Sequence, residues 1–215
     1  MYRTGIETKL TILETAKSLF YQRGYKAVTV HEICEGAGVK LGTFTYYFSR
    51  KDDLIGAIYN SYMTACKDYV DANAPAGLSP AEHHMFAVML YYSRLYQDEH
   101  IIAFHREVLK LGSESAYFEN PRAVLADFSD DCAIDRNDPT YGLMVMADNA
   151  VRGALNVDFA SQDSHSLADV RQLLTDIYTI TARLFGTNRE ALLAYIDSAY
   201  RFVQCHESAD VSLLR

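Results

Sequence analysis

The sequence predicts an all-α fold in which a small three-helix head, residues 1–50, leads through a linking helix, 51–73, into a larger helical body, 51–215. Three observations predict it. Apolar residues recur every three or four positions along most of the chain, as on the buried face of a helix. Helix-start signals of the Ser/Thr-x-x-Glu/Asp type precede several of these segments. No run of alternating β-branched residues and no Asn-Gly or Asp-Gly hairpin turn interrupts them.

The first helix is expected over residues 6–23, with Ile6, Leu10, Leu13, Ala16, Leu19 and Phe20 as its buried stripe and Gly24 as its stop. Thr29-Val30-His31-Glu32 is a capping box that starts a second, short helix, whose inner face is Ile33, Cys34 and Ala37. Gly36 and Gly38 bracket Ala37 where the chain must turn sharply into a third helix near Lys40 or Leu41. A short helix, a tight turn and a second short helix are the parts of a helix-turn-helix. Ser49-Arg50-Lys51-Asp52 reads as the capping box of the linking helix, which runs to about residue 73.

A loop with Pro75 and Gly77 follows, and Ser79-Pro80-Ala81-Glu82 joins a capping box to a proline at the first helical position. Further helices are expected to about residue 97, over 98–111, in broken form over 113–131, over 138–160, over 166–186, and from a capping box at Thr187 to Glu190 onward. No internal repeat or low-complexity tract is present.

With 49% apolar, 12% aromatic and 22% charged residues the composition is that of a globular chain. No stretch of about 18 uncharged apolar residues occurs, and Arg3, Glu7 and Lys9 interrupt the N-terminus, so a soluble, cytoplasmic protein without membrane contact is expected. Cys34, Cys66, Cys132 and Cys205 are far apart, and His31-Glu32 lacks a second histidine because position 35 is Glu35. Packed, reduced thiols with no metal and no cofactor are the expectation. The net charge of −8 is unevenly spread: residues 1–65 carry 8 Lys and Arg against 6 Asp and Glu, and residues 66–215 carry 12 against 22. Such a chain can approach a polyanion only with its head, because the body is repelled within a Debye length of roughly 8–10 Å.

Residues 29–54, TVHEICEGAGVKLGTFTYYFSRKDDL, resemble the DNA-binding signature of the TetR/AcrR family of regulators. The likeness lies in the Thr-Val helix start, the Ala-Gly-Val turn at 37–39, the Gly-Thr-aromatic at 42–44, Tyr47-Phe48, and Lys51 followed by acidic residues and Leu54. It covers about the first 60 residues and implies an N-terminal DNA-binding head with a dimerising, effector-holding helical body. Short polar side chains at the start of a recognition helix let its backbone enter the major groove, which suits Thr43, Thr45 and Tyr46, and the resemblance adds Gly42 to the DNA-binding candidates. Thr29, Tyr47 and Lys51 match the family's phosphate-contact positions. Lys40 and Leu41 stand where serine and a basic residue or proline are usual, and Thr45 stands where tyrosine is usual. Lys40 has therefore lost a side-chain cap and is the leading candidate for an operator-specific contact.

One recognition helix touches too few bases for useful affinity, so a two-fold dimer on a palindromic operator is expected. The candidate dimer surface is Leu143, Ala147 and Val151 on one helix with Leu173, Ile177, Ile180 and Leu184 on the next, unless both helices are central within one subunit. Candidate contacts to an apolar or aromatic small-molecule effector are Tyr62, Cys66, Met89, Tyr92, His105, Phe118, Asn149 and Arg152, with an ordinary core or, for Arg152, an ion pair as the alternative. The function these features predict is a ligand-responsive repressor. The alternatives from other classes are a protein-interaction scaffold or a helical enzyme carrying a DNA-binding head; no glycine-rich phosphate loop, G-x-S-x-G elbow or histidine-flanked carboxylate pair argues for catalysis.

Overall fold

The computed structural model describes residues 4–111, 134–163, 165–207 and 209–215. Among them it contains nine α-helices and no strand: α1 (Gly5–Arg23), α2 (Val30–Ala37), α3 (Leu41–Tyr47), α4 (Asp52–Asn73), α5 (Pro80–Leu95), α6 (Glu99–Leu109), α7 (Tyr141–Ser161), α8 (Leu167–Phe185) and α9 (Arg189–Cys205). The expected broken helix over 113–131, with Phe118, lies outside the described residues, as does Cys132. None of the described helices is long and apolar enough to cross a membrane.

Local chemistry sets most of the boundaries. Thr4 caps α1 by accepting from the Glu7 amide, while Glu7 accepts from the Thr4 amide, so the helix begins at Gly5, one residue before the expected start. Thr29 with Glu32, Ser79 with Glu82, and Ser166 with Asp169 form the expected capping boxes of α2, α5 and α8. Two expected boxes are replaced. At α4 the Ser49 hydroxyl makes no cap; Asp53 reaches back to the Arg50 amide at 2.9 Å and the helix opens after Lys51. At α9 the cap is Asn188, whose carbonyl oxygen accepts from the amides of Glu190 and Ala191, one residue past the expected Thr187.

The α2–α3 turn needs two glycines for different reasons. Gly38 sits at φ 66° and ψ 36°, in the left-handed region that a side chain disfavours. Gly36 is an ordinary helical residue, but a Cβ placed on it would come within 2.8 Å of Thr15 Cγ2 on α1. Its lack of a side chain is what brings α2 close against α1.

The helix stripes need one revision. Leu13, Ala16 and Phe20 of α1 are buried as expected and Leu19 is half-buried; Ile12, outside the expected stripe, is fully buried, while Ile6 and Leu10 are exposed, because among the described residues no element covers the first turns of α1 on that side. α5 is the central helix of the body, buried along most of its length and packed against α4, α8 and α9. The core does not divide at residue 50. Phe104 of α6 stacks on Phe20 of α1 with centroids 5.5 Å apart and lies 6.3 Å from both Tyr25 and Tyr59, so head and body share one apolar cluster.

Two histidines are sealed into this core. Burial holds both His84 and His105 down to about 3, with the positive charges of Lys67 and Arg152 adding to the effect at His84 and His165 adding at His105. The His105 Nδ1 lies 2.6 Å from the Tyr59 hydroxyl. Folded, both rings are neutral; unfolded, they take up protons below about 6.5. Each therefore withdraws about 1.4 kcal/mol of stability per pH unit as pH falls below 6.5. Denaturant titrations between pH 7 and pH 5 should show this loss, and His84→Gln should flatten the slope. An equal slope in the variant would contradict the assignment. Likewise, Gly36→Ala should cost about 1–3 kcal/mol by overpacking, and Thr15→Ser, which removes the offending methyl, should restore most of it in a double-mutant cycle.

Candidate nucleic-acid interface

α2 and α3 present one continuous edge of the head. Thr29, at the start of α2, is exposed; its hydroxyl accepts from the Glu32 amide and also donates to the Glu32 carboxylate at 2.7 Å. Glu32 is held down to about 2 by the Thr29 hydroxyl and amide and by Arg23, which lies 2.7 Å away. The charged carboxylate thus fixes the turn that leads into α2.

On α3, Lys40, Leu41, Gly42, Thr45 and Tyr46 are exposed, Thr43 and Tyr47 are half-buried, and Phe44 and Phe48 pack inward with centroids 5.9 Å apart. Lys40 precedes the helix without a side-chain cap, as the loss of serine there predicts. Thr45 does not reach outward, since its hydroxyl donates back to the Gly42 carbonyl at 3.2 Å. Gly42 is the informative position. Its φ is ordinary, and a Cβ added there would meet nothing within 4 Å. A glycine inside a helix costs about 1 kcal/mol relative to alanine, and nothing within the described chain requires it. Gly42 therefore leaves the backbone of α3 uncovered at this point of the exposed edge.

Lys51, expected as a phosphate donor, is engaged within the chain. Its ammonium donates to the carbonyls of Tyr25 and Val28, both at 2.9 Å, and sits 3.9 Å from the centre of the Tyr25 ring. Burial lowers its pKa, and the neighbouring Asp52 and Glu107 carboxylates act against that. With two of its three protons committed, Lys51 braces the loop that enters α2. The carbonyls come from 26 and 23 residues away, so no local pattern announces them. Glu107 of α6 holds the same loop from the body side by accepting from the Lys26 amide at 2.8 Å.

Two exposed cations that the sequence reading did not single out, Lys9 and Arg50, lie near this edge. They line a groove between α1 and α4 together with Tyr47, Ser49 and Asn60. Their position beside Tyr47 becomes visible only when α1 is laid across the start of α4.

The body candidates separate into three groups. Tyr62, Cys66, Met89, Tyr92 and His105 are buried on α4, α5 and α6. Tyr62 donates to the Tyr91 carbonyl at 2.7 Å, its ring is 4.7 Å from that of Tyr91, and burial pushes the Cys66 thiol up to about 12, so it stays protonated. The Tyr91 hydroxyl, not singled out by the sequence, is buried among the described residues without a hydrogen-bond partner. Asn149 is half-buried on α7. Arg152 is committed internally: it donates to Asp148 at 2.6 Å and to Thr181 at 2.9 Å and covers the Tyr178 ring at 4.7 Å. The ion-pair alternative therefore holds for Arg152, in partly buried form, and it is not available to an effector's anionic group.

For the dimer candidates the outcome is split by burial. Leu173 and Ile177 are 5% and 2% exposed, taken into the subunit's own core, so they present no surface to a second copy. Ile180 and Leu184 are half-buried, as are Ala147 and Val151. Leu143 and Met146, by contrast, are 66% and 69% exposed, and with Ala150, Ala154 and Val157 they make an open apolar stripe along α7.

Residues 12–58 match the family model described as bacterial regulatory proteins, tetR family. The repressor KstR2 of Mycobacterium tuberculosis is 28% identical over 94 residues, covering 37% of this chain and 47% of that protein. The regulator TtgR of Pseudomonas putida is 38% identical over 55 residues, 26% of each chain. The chain thus spans about half or less of the length of these curated relatives. Along nearly the whole chain the fold is shared with solved structures of RolR bound to resorcinol (TM-score 0.57, 17% identity, 89% of this chain and 94% of that one) and of the tetR regulator TylP from Streptomyces fradiae (TM-score 0.52, 16% identity, 95% and 98%). The head, residues 12–58, is thus similar in sequence to the helix-turn-helix of the tetR family of bacterial regulatory proteins, and the all-helical architecture is shared in fold with solved regulators of that kind.

Proposed function

We propose that the protein is a transcriptional repressor that reads a palindromic operator in double-stranded DNA as a homodimer and is released by a small apolar or aromatic effector. The observation that carries this reading is the bare edge of α3, where Gly42 faces open space between the exposed Lys40 and Thr45. A helix without a side chain at that point can lay its backbone against the floor or wall of a major groove. Lys40 and Thr43 are then placed to read bases. Thr29 at the amide end of α2, Tyr47, Lys9 and Arg50 are placed to take phosphates, and Lys51 supports them by fixing the loop before α2.

Two copies related by a two-fold axis would meet through the α7 stripe, burying Leu143 and Met146, with Ala147, Val151, Ile180 and Leu184 at its margin. The effector would enter the aromatic layer of Tyr62, Tyr91 and Tyr92, where the Tyr91 hydroxyl, without a hydrogen-bond partner among the described residues, offers one polar contact. Tyr62 and Cys66 lie on α4, the helix that begins beside Lys51. A shift of α4 is thereby passed to the loop before α2 and to the separation of the two recognition helices. A coupling of roughly 1–3 kcal/mol suffices for a 5- to 150-fold change in operator affinity.

Footprinting on the DNA flanking the protein's own gene should reveal salt-sensitive protection of a palindrome, and its absence would overturn the reading. Lys9→Ala and Arg50→Ala should weaken binding to all sequences alike, each reducing the salt slope by about 1, whereas Lys40→Ala or Thr43→Val should change which bases are preferred. For the dimer, the wild type should sediment at twice 24.2 kDa and Leu143→Glu combined with Met146→Glu at the single-chain mass. A double variant that stays dimeric would exclude the α7 stripe.

A further inference from the structure

Beyond α9 the chain crosses back to the head. Residues 209–215 join no regular element, and among the described residues Ser212, Leu213, Leu214 and Arg215 make no backbone–backbone hydrogen bond. Side chains hold the segment instead. Leu213 and Leu214 are 1% and 2% exposed within the apolar core, and Ala209 and Val211 are buried beside them. Arg215 then reaches out of this anchor. Its guanidinium lies 4.4 Å from the centre of the Tyr21 ring and donates both to the Tyr21 hydroxyl and to Asp98 Oδ2.

This cluster joins three parts of the chain that are remote in sequence. Tyr21 is on the last turns of α1, in the head, and donates its own hydroxyl to Asp98 Oδ2 at 3.0 Å. Asp98 is the cap of α6, its other oxygen accepting from the His100 and Ile101 amides at 2.9 and 3.4 Å. The His100 ring lies 4.8 Å from that of Tyr21. One carboxylate therefore sets the start of α6, grips α1 and receives Arg215. At the far end of α6, Glu107 holds the loop after α1 through the Lys26 amide. Besides the packing of Phe104 against Phe20 and Tyr25, the head is thus fastened to α6 by polar contacts at two points, and residues 209–215 close only the first.

We propose that residues 209–215 are a strap that fixes the orientation of the head on the body, with Arg215 as its clasp on Tyr21 and Asp98. The leucine anchors make the strap a permanent part of the body, while the clasp is suited to opening: Arg215 is 58% and Asp98 22% exposed, so solvent screens their pairing. A closed clasp restricts the tilt of α1 and with it the direction in which α3 points. In the dimer, on the DNA-binding reading proposed above, this restriction sets how strictly the two recognition helices demand one half-site spacing.

Hydrogen exchange on the full-length, DNA-free protein tests the strap independently of that reading. Arg215→Ala should speed exchange in residues 16–26 by roughly 2- to 5-fold, the effect of losing a partly exposed ion pair, while α8 stays unchanged. Tyr21→Phe, which keeps the ring but removes the shared hydroxyl, should act in the same direction. Unchanged exchange in 16–26, or equal acceleration in every helix, overturns the strap. A second arm uses synthetic duplexes carrying the footprinted half-sites at the native spacing and at one base pair more or less. The wild type should discriminate among them more sharply than Arg215→Ala by about 2-fold or more, and equal discrimination overturns the role in spacing. If the wild type binds no duplex, the DNA-binding reading fails while the exchange result still decides the strap.

Discussion

The stacking of Phe104 on Phe20, with Tyr25 and Tyr59 around it, is the contact on which the arrangement of the molecule depends. A small three-helix head buries a smaller fraction of its surface than a larger domain does, and here its core is completed by an aromatic residue from the body. The polar contacts around this seam are consequences of its placement. Once Phe104 is seated, the helical spacing of α6 carries Glu107 to the Lys26 amide and Asp98 to Tyr21. On the opposite side, Arg106 donates to the Ala160 and Gln162 carbonyls at the end of α7, at 2.6 and 2.9 Å. α6 is thus bonded to the head along one flank and to α7 along the other, which makes it a second mechanical route beside α4.

The fold was legible wherever the governing interaction is local. Thr29, Ser79 and Ser166 cap their helices because the partner sits three residues on, within the reach of one side chain. The same rule misplaces the start of α4 and α9. At Ser49 the competing Asp53 finds the Arg50 amide, and at Thr187 the adjacent Asn188 offers a carbonyl oxygen already directed at two free amides. In both places a pattern match was correct about the existence of a helix and wrong about which atom closes it.

Long-range partners were not legible, for a corresponding reason. Periodicity marks Leu173, Ile177, Leu143 and Ile6 equally as apolar, yet two of these face the subunit's own core and two face outward. What distinguishes them is which neighbouring helix arrives, and no window of sequence contains that. Lys51 and Arg152 show the same limit for charge. Each cation was visible, but the carbonyls that occupy Lys51 and the Asp148–Thr181–Tyr178 set that occupies Arg152 are assembled by packing. The exposed edge of α3 was easier to anticipate because its residues are consecutive, whereas Lys9 and Arg50 come together only because α1 supplies one and the start of α4 the other.

Gly42 has a consequence of another kind. Because the space above its α-carbon is empty, a substitution there meets no steric objection from the rest of the chain, and most residues would favour the helix more than glycine does. On the DNA-binding reading proposed above, folding and recognition therefore make opposite demands on a single position. A screen for heat resistance would accept nearly any replacement at 42, whereas a screen for operator occupancy would judge each by its bulk alone. Gly42 lies beside Lys40 and Thr43 on the exposed edge of α3, so a combinatorial library over these three positions would pit the two pressures against each other with the scaffold intact.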